Sequence, residues 1–422
     1  MTTNLPDHAR TKDFDLVLFG ASGFTGSLVA EYLVKKRASL RWALAGRSRE
    51  KLERVRDDLA ALEPAAKDLP LLTGDSLDPA AMAAIVRRAR VIGTTVGPYC
   101  RYGGPLVAAC AEQGVHYCDI TGETPWIRAM IDAHHERAAA SGARIVHCCG
   151  FDSIPSDLGV LMLHDHLARS GKRLATAHYR VVTVEGAPNG SLSGGSAASM
   201  LAIAERAGDP AVRRVLADPY ALNPKDAPRG PDRRDQVGPR RDPDTGRWTA
   251  PFLMAPVNTR IVRRSNALLD FAYGRDFRYD EAVDTGPGAR GLALASALSA
   301  AMAAFMGSTI FPATRRLLAR VLPAPGEGPS REQRERGSFR VEIRATSADG
   351  EPITGVIEGT SDPGYGETAK MFAEAALCLA TDDLPPRGGV LTPASCLGMA
   401  LIARLRAAGM TFRVETARSL QG

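Results

Sequence analysis

Short apolar runs alternate with amphipathic stretches over the first 150 residues. Residues 15–19 (Asp-Leu-Val-Leu-Phe) form an almost wholly apolar run that ends at Gly20, the pattern of a parallel strand buried on both faces. Residues 24–36 then carry Leu28, Val29, Tyr32 and Leu33 at helical spacing and finish in Lys35 and Lys36, which suits a helix C-terminus. The alternation repeats, with strands predicted at 40–45, 69–73, 90–96, 115–119 and 143–148. Helices are predicted between them at 50–62, 79–88, 105–113 and 125–141. Six strands with intervening helices predict an α/β fold, a doubly wound parallel sheet with right-handed crossovers. Ligands in such sheets sit beyond the carboxyl ends of the strands. That rule brings four loops to one edge: 20–26, 46–48, 96–101 and 150–157.

The pattern then changes. Residues 158–169 read as a helix, and 173–185 alternate like a strand that opens a second domain. Residues 191–196 form a Ser/Gly-rich turn before a helical run at 197–206, either an anion-binding helix start or a plain turn. Residues 224–248 are rich in Pro, Gly, Asp and Arg and lack periodicity, which predicts a solvated loop. Arg260, Arg263 and Arg264 fall in a segment read as strand-like, as a basic cluster for phosphopantetheine or a substrate carboxylate. Residues 291–312 are apolar and uncharged, long enough to cross a bilayer yet alanine-rich. Three readings compete there: a spanning helix, a membrane-docking hairpin, and a buried or dimer-interface helix, which is preferred. Strands at 340–345 and 352–358 flank a turn at Asp349-Gly350, and helices follow at 368–381 and 392–408. The domains expected are a cofactor domain over 1–157, a second α/β (α+β) substrate or dimerisation domain over 158–360, and C-terminal helices over 361–422.

Composition narrows the function classes. A chain of 422 residues suits two or three domains. Lys and Arg total 53 against 47 Asp and Glu, a net +6 too diluted for a nucleic-acid footprint. Seven cysteines is an odd number without a C-x-x-C pair, and Cys148 adjoins Cys149. Reduced thiols in a cytoplasmic compartment are expected. Residues 1–13 are polar, so no secretory signal is expected there.

The loop Gly20-Ala21-Ser22-Gly23-Phe24-Thr25-Gly26 joins the first strand to the first helix. Glycines at this spacing permit a tight turn, close approach to a diphosphate, and close helix–strand packing. The helix start offers free N–H groups to the phosphates. The second strand ends Leu44-Ala45-Gly46-Arg47-Ser48 with no carboxylate for a ribose 2′-hydroxyl. Arg47 and Ser48 suit a 2′-phosphate instead, which favours NADP(H) over NAD(H). Asp75 follows the third strand, either as an adenine contact or as a turn residue, while Asp78 before Pro79 is a helix N-cap. Val96, Gly97 and Pro98 leave the fourth strand where a nicotinamide ribose would lie.

These segments resemble the saccharopine dehydrogenase-like oxidoreductases, and among them the mycobacterial trans-acting enoyl reductases. The resemblance rests on residues 14–26, 44–48, 94–99, 149–157, 258–267 and 389–393, spread over nearly the whole chain. It implies an NADPH-dependent reductase with a Rossmann domain, a second α/β domain over the nicotinamide, and C-terminal helices packed back on the cofactor domain. It also implies a lipid or polyketide acyl substrate, free or delivered on a carrier, while the apolar segment 291–312 leaves a homodimer or a peripheral membrane contact open.

Enoyl reduction needs a hydrogen-bond donor for the developing enolate oxygen and a proton for the α-carbon. Tyr99, expected to project into the cleft, is the neutral donor candidate, with packing on the nicotinamide as the competing reading. Asp152 is the second candidate, binding the cofactor amide or orienting a water. Asp157 is read as a cap for the next helix, His147 as a core histidine, and Cys148 and Cys149 as small apolar fillers. His164 and His166 sit two apart on a helix and do not face each other, so no metal site is expected. Two alternatives remain: imine chemistry on an amino acid, which Arg260, Arg263 and Arg264 would serve, and a non-catalytic NADP(H)-binding, membrane-associated protein.

Overall fold

A computed structural model describes residues 12–36, 40–185, 194–321 and 328–416. Six parallel strands follow in turn: β1 (Phe14–Phe19), β2 (Trp42–Gly46), β3 (Leu71–Thr73), β4 (Ala89–Thr94), β5 (His116–Asp119) and β6 (Arg144–Val146). The apolar run of β1 is buried on both faces, with Leu16, Val17 and Leu18 at most 1% exposed. Leu16 and Leu18 pack with Leu33 and Phe372 on one face, and Val17 and Phe19 with Val107 and Ile127 on the other. Burial of this kind, roughly 1.5–3 kcal/mol for each large apolar side chain, is what fixes a strand between two helix layers.

The second sheet contains β7 (Leu174–Glu185), β8 (Arg240–Arg241), β9 (Trp248–Pro251), β10 (Arg278–Gly286), β11 (Ser338–Ser347) and β12 (Pro352–Gly359). The C-terminal region supplies β13 (Gly389–Leu391) and β14 (Thr411–Thr416). The first sheet runs β13-β6-β5-β4-β1-β2-β3 and the second β14-β12-β11-β7-β10-β9-β8. The chain therefore returns to extend both sheets after their main strands are laid down. β13 pairs in parallel with β6, and β14 pairs antiparallel with β12. Neither strand is among the sequence expectations: three residues of β13 carry no readable period, and the short Phe412/Val414 alternation of β14 was passed over.

The Ile154–Ala168 helix leaves β6 and packs on the second sheet so closely that a Cβ on Gly159 would lie 2.4 Å from Ile343 Cδ1. It begins four residues earlier than expected, with Pro155 in its first turn. Asp157 is therefore inside the helix and not its cap. Its buried carboxylate accepts from Ser265 Oγ at 2.5 Å and from the Ala394 N–H at 2.7 Å, and burial pushes it up to about 7.

Residues 260–264 are helical, not extended, inside the Ala255–Leu268 helix. Their three guanidiniums are 1–5% exposed. Arg260 donates to Asp235 and to the Leu216 carbonyl, and Arg263 donates to Asp232 and to the Tyr279 carbonyl. Arg264 donates to the carbonyls of Leu222 and Val390. The 224–248 segment is a largely exposed loop, as expected, anchored at three aspartates. Asp232 and Asp235 are held by this helix, and Asp242 is held by buried Arg180 at 2.6 Å. The apolar segment forms the Gly288–Ile310 helix, followed by the Pro312–Val321 helix. It is not a buried helix, since Leu294 is 48% exposed and Leu298 40%.

Candidate active site

The first sheet reverses its order between β1 and β4, and the loops that leave these two strands diverge to open a crevice. Gly20 ends β1 with φ +89°, a conformation that favours glycine. A Cβ there would lie 2.6 Å from Val96 Cγ2, and a Cβ on Gly26 would lie 2.1 Å from the Gly20 carbonyl oxygen. Only hydrogen at both positions allows the turn, the helix and the β4 loop to close together. Gly23 begins the Phe24–Lys35 helix and has no side chain to cap it. The first N–H groups of that helix thus remain open to an anion.

The crevice is a cleft of about 400 Å³. Gly20, Ser22, Gly23, Phe24, Thr25, Arg47, Val96 and Gly97 line it. Ala21 faces the core, fully buried, and Gly26 supports the loop from behind. Tyr365, itself buried, also lines it and meets the Phe24 ring edge-on at 4.8 Å, with the Arg334 guanidinium 5.5 Å from that ring.

At the β2 end two cations line the cleft, Arg47 and Lys51. Lys51 was not anticipated. It is the third residue of the Arg49–Leu62 helix, and Arg47 stands on the turn just before the helix. Ser48 is the N-cap of that helix, its Oγ accepting from the Lys51 N–H at 3.3 Å. Asp75 takes the turn role: it is exposed and accepts from the Leu77 N–H at 3.0 Å, while its neighbours Gly74 and Ser76 line the cleft. No acidic side chain is found among the described lining residues. The set suits a dinucleotide with an extra phosphate on its adenosine ribose.

At the β4 end the Tyr99 expectation fails. Tyr99 is 4% exposed, and its ring packs against Trp126 at 5.4 Å. Its hydroxyl donates to the Thr94 carbonyl at 3.2 Å and accepts from the Ile120 N–H at 3.3 Å. Burial, and next the Asp119 charge, push the phenol well above its ordinary range. Tyr99 is thus a strut beneath the cleft and not a donor within it. Pro98, after a cis Gly97–Pro98 peptide, opens the short Tyr99–Tyr102 helix.

What orders this loop is Glu123, a residue sequence reasoning passed over. Its fully buried carboxylate accepts from the N–H groups of Tyr99 (2.7 Å) and Cys100 (2.8 Å) and from Ser199 Oγ (2.7 Å). Ser199 belongs to the Gly194–Arg206 helix, and Gly195 of the same helix lines the cleft. Residues 191–193 of the Ser/Gly-rich turn lie outside the described residues.

Residues 16–146 match the saccharopine dehydrogenase NADP binding domain family. The chain is 42% identical to the trans-acting enoyl reductase of Mycobacterium bovis, over 94% of this chain and 97% of that one. The protein of the same name from Mycobacterium ulcerans is also 42% identical, over 94% and 97%. A Mycobacterium tuberculosis protein provisionally given that name is 44% identical over 96% and 98%. The chain belongs to the trans-acting enoyl reductase family. Among solved structures, the fold is similar to apo saccharopine dehydrogenase (L-Glu forming) from Saccharomyces cerevisiae, with a TM-score of 0.50, 13% identity, and coverage of 95% of this chain and 99% of that one. The protein is an NADP(H)-dependent oxidoreductase.

In this reductase Asp152 stands on the loop that leaves β6 at the same sheet edge. A Cβ on Gly122 would lie 4.0 Å from Asp152 Oδ2 and 3.3 Å from Met254 Cε, so the carboxylate sits in partly apolar surroundings. Removal from water pushes Asp152 up to about 6. Behind it, Ser153 Oγ donates to Asn258 Oδ1 at 2.9 Å. Asn258 Nδ2 and the Tyr279 hydroxyl both donate to Glu281, at 2.9 and 2.8 Å. Glu281 is 1% exposed, and burial pushes it up to about 8. Burial thus holds Glu281 largely protonated at neutral pH and brings the Asp152 proton within reach of it.

Proposed function

We propose that this protein reduces the carbon–carbon double bond of an enoyl group in a lipid or polyketide intermediate delivered to it in trans. NADPH, when bound, supplies the hydride that goes to the β-carbon. The open N–H groups at the start of the Phe24–Lys35 helix hold the diphosphate, and Arg47 with Lys51 holds the 2′-phosphate. Glu123 fixes the Val96–Cys100 turn at the nicotinamide end. Asp152 delivers the proton to the α-carbon. The seven cysteines, all free thiols, support a cytoplasmic setting.

One observation carries the reading against the amino-acid alternative. Arg260, Arg263 and Arg264 are buried and engaged by Asp232, Asp235 and backbone carbonyls, which leaves none of the three for substrate carboxylates. The test is NADPH oxidation followed at its nicotinamide absorbance. Turnover is expected with a medium-chain 2-enoyl thioester and not with a 2-oxo acid plus an amino acid. The reverse pattern overturns the proposal, and no oxidation with either substrate favours the non-catalytic alternative.

A further inference from the structure

The Gly288–Ile310 helix is oriented opposite to a core helix. Gly291, Ala295 and Ser299, four residues apart, are its buried positions over the first three turns. The large side chains point outward: Leu292 (39% exposed), Leu294 (48%), Leu298 (40%) and Met306 (39%). At the turn into the next helix Phe311 is 64% exposed, and beyond it Leu317 is 61% exposed. Small residues meet the protein and large apolar ones meet the outside, the inverse of what core packing selects.

The charge pattern identifies what meets that face. No Asp or Glu occurs between Thr285 and Gly326, while Arg290 stands at one end of the apolar stretch and Arg315, Arg316 and Arg320 at the other. Arg290, Arg316 and Arg320 are exposed. Apolar side chains flanked by cations alone complement an anionic lipid surface, where acyl chains take the leucines and headgroups take the guanidiniums. A second copy of the chain would bring like charges together with no acid to offset them. A folded protein partner needs a shaped recess or ridge, whereas the exposed positions here wrap most of a convex cylinder, which a fluid lipid phase can follow.

The helix also stands close to the chemistry. It and the Pro312–Val321 helix both pack against the Gly194–Arg206 helix, whose Gly195 lines the cofactor cleft and whose Ser199 binds Glu123. We infer that the helical pair 288–321 docks the enzyme on anionic membranes, lying in the interface plane beside the cleft. This goes beyond the proposed reaction and does not depend on it.

Flotation of the full-length protein with vesicles tests this. Vesicles of phosphatidylcholine alone, or with one third phosphatidylglycerol, are mixed with protein and floated at low and high salt. The protein is expected to float with the anionic vesicles, with weaker flotation at high salt. Leu294→Glu/Leu298→Glu and Arg290→Glu/Arg316→Glu should each lower the bound fraction at least tenfold. Unchanged NADPH affinity by calorimetry verifies that these surface variants are folded. Wild type that stays unbound with anionic vesicles overturns the inference, as does binding that the leucine variant leaves intact. A wild-type dimer that the leucine variant converts to monomer, with no vesicle binding by either form, assigns the face to a second copy. Vesicle-bound protein that resists alkaline extraction assigns a spanning helix instead.

Discussion

Ser199 donates its hydroxyl to Glu123 Oε1 at 2.7 Å, tying a helix that follows the second sheet's first strand to the loop that follows β5. The same oxygen accepts from the Tyr99 N–H, and Oε2 accepts from the Cys100 N–H. One buried carboxylate therefore sets the distance between the Val96–Cys100 loop and the Gly194–Arg206 helix. Glu123→Ala leaves three donors without an acceptor, at about 1–3 kcal/mol for each one that water cannot reach. The expected result is a clear loss of melting temperature and a KM for NADPH raised at least tenfold. Ser199→Ala removes a single donor and leaves both backbone bonds, so it should cost about 1 kcal/mol and change KM less than threefold. Thermal melts with NADPH titrations on both variants check this ordering.

The adenosine end makes a separate prediction about coenzyme choice. Arg47 and Lys51 flank the position expected for the 2′-phosphate, and no acidic side chain among the described lining residues opposes it. Each charge-assisted contact is worth about 1.5–3 kcal/mol. Arg47→Ala/Lys51→Ala should raise the dissociation constant for NADPH by roughly 100-fold or more. NADH binding should move by less than a factor of three. Calorimetry with both coenzymes separates these outcomes, and an equal loss for the two would show that the cations serve the diphosphate instead.

The first sheet was legible because its strands are buried on both faces and its helices on one, so periodicity alone separates them. The glycine loop and Arg47 were legible because each depends on local spacing. Glu123 was not, since its partners at 99, 100 and 199 are distant in sequence, and a carboxylate at a helix start reads as surface decoration. Tyr99 was misread for the same reason: whether a side chain on a turn points out or in is decided by what packs behind it, here Trp126. Residues 260, 263 and 264 carried a signal that the strand reading overlooked. The i, i+3, i+4 spacing is helical, and the acidic partners of Arg260 and Arg263 lie in the Pro/Gly-rich loop, distant in sequence. The exposure of the Gly288–Ile310 helix was beyond sequence, because buried and lipid-facing helices share one composition.

Glu281 makes the stability of the second domain depend on pH. Burial raises it to about 8 from an ordinary 4.5, so the folded state holds this proton more tightly than the unfolded state. The stability it contributes is fully present below about 4.5 and is lost as pH rises through 8. Integrated over that window the effect is on the order of 5 kcal/mol. Melting temperature should therefore decline from pH 6 to 9, and Glu281→Gln, which stays neutral, should decline less steeply. Asp157, raised to about 7 by burial, acts with the same sign, so the slope of the variant shrinks without vanishing. A variant as steep as wild type would show that Glu281 is already ionised in the folded protein at neutral pH.

Asp152 links the pH dependence of the reaction to one loop. A proton donor works in its protonated form, and burial pushes this carboxyl up to about 6. As pH rises through that value the donor form disappears, so kcat should fall about tenfold per unit above it until another step or source of protons takes over. Asp152→Asn keeps the size and the neutral state but has no proton to give. It should lower kcat by about 10²–10⁴-fold, remove the descending limb, and leave NADPH affinity unchanged, since no described contact joins Asp152 to the cleft lining. Its stability should respond in the opposite sense. The raised value means that ionisation destabilises the fold at alkaline pH, so the asparagine variant should melt higher than wild type at pH 8. Steady-state rates from pH 5 to 9, paired with melts over the same range, test both. A higher melting point with an unaltered rate profile would leave Asp152 a structural acid and move proton delivery elsewhere.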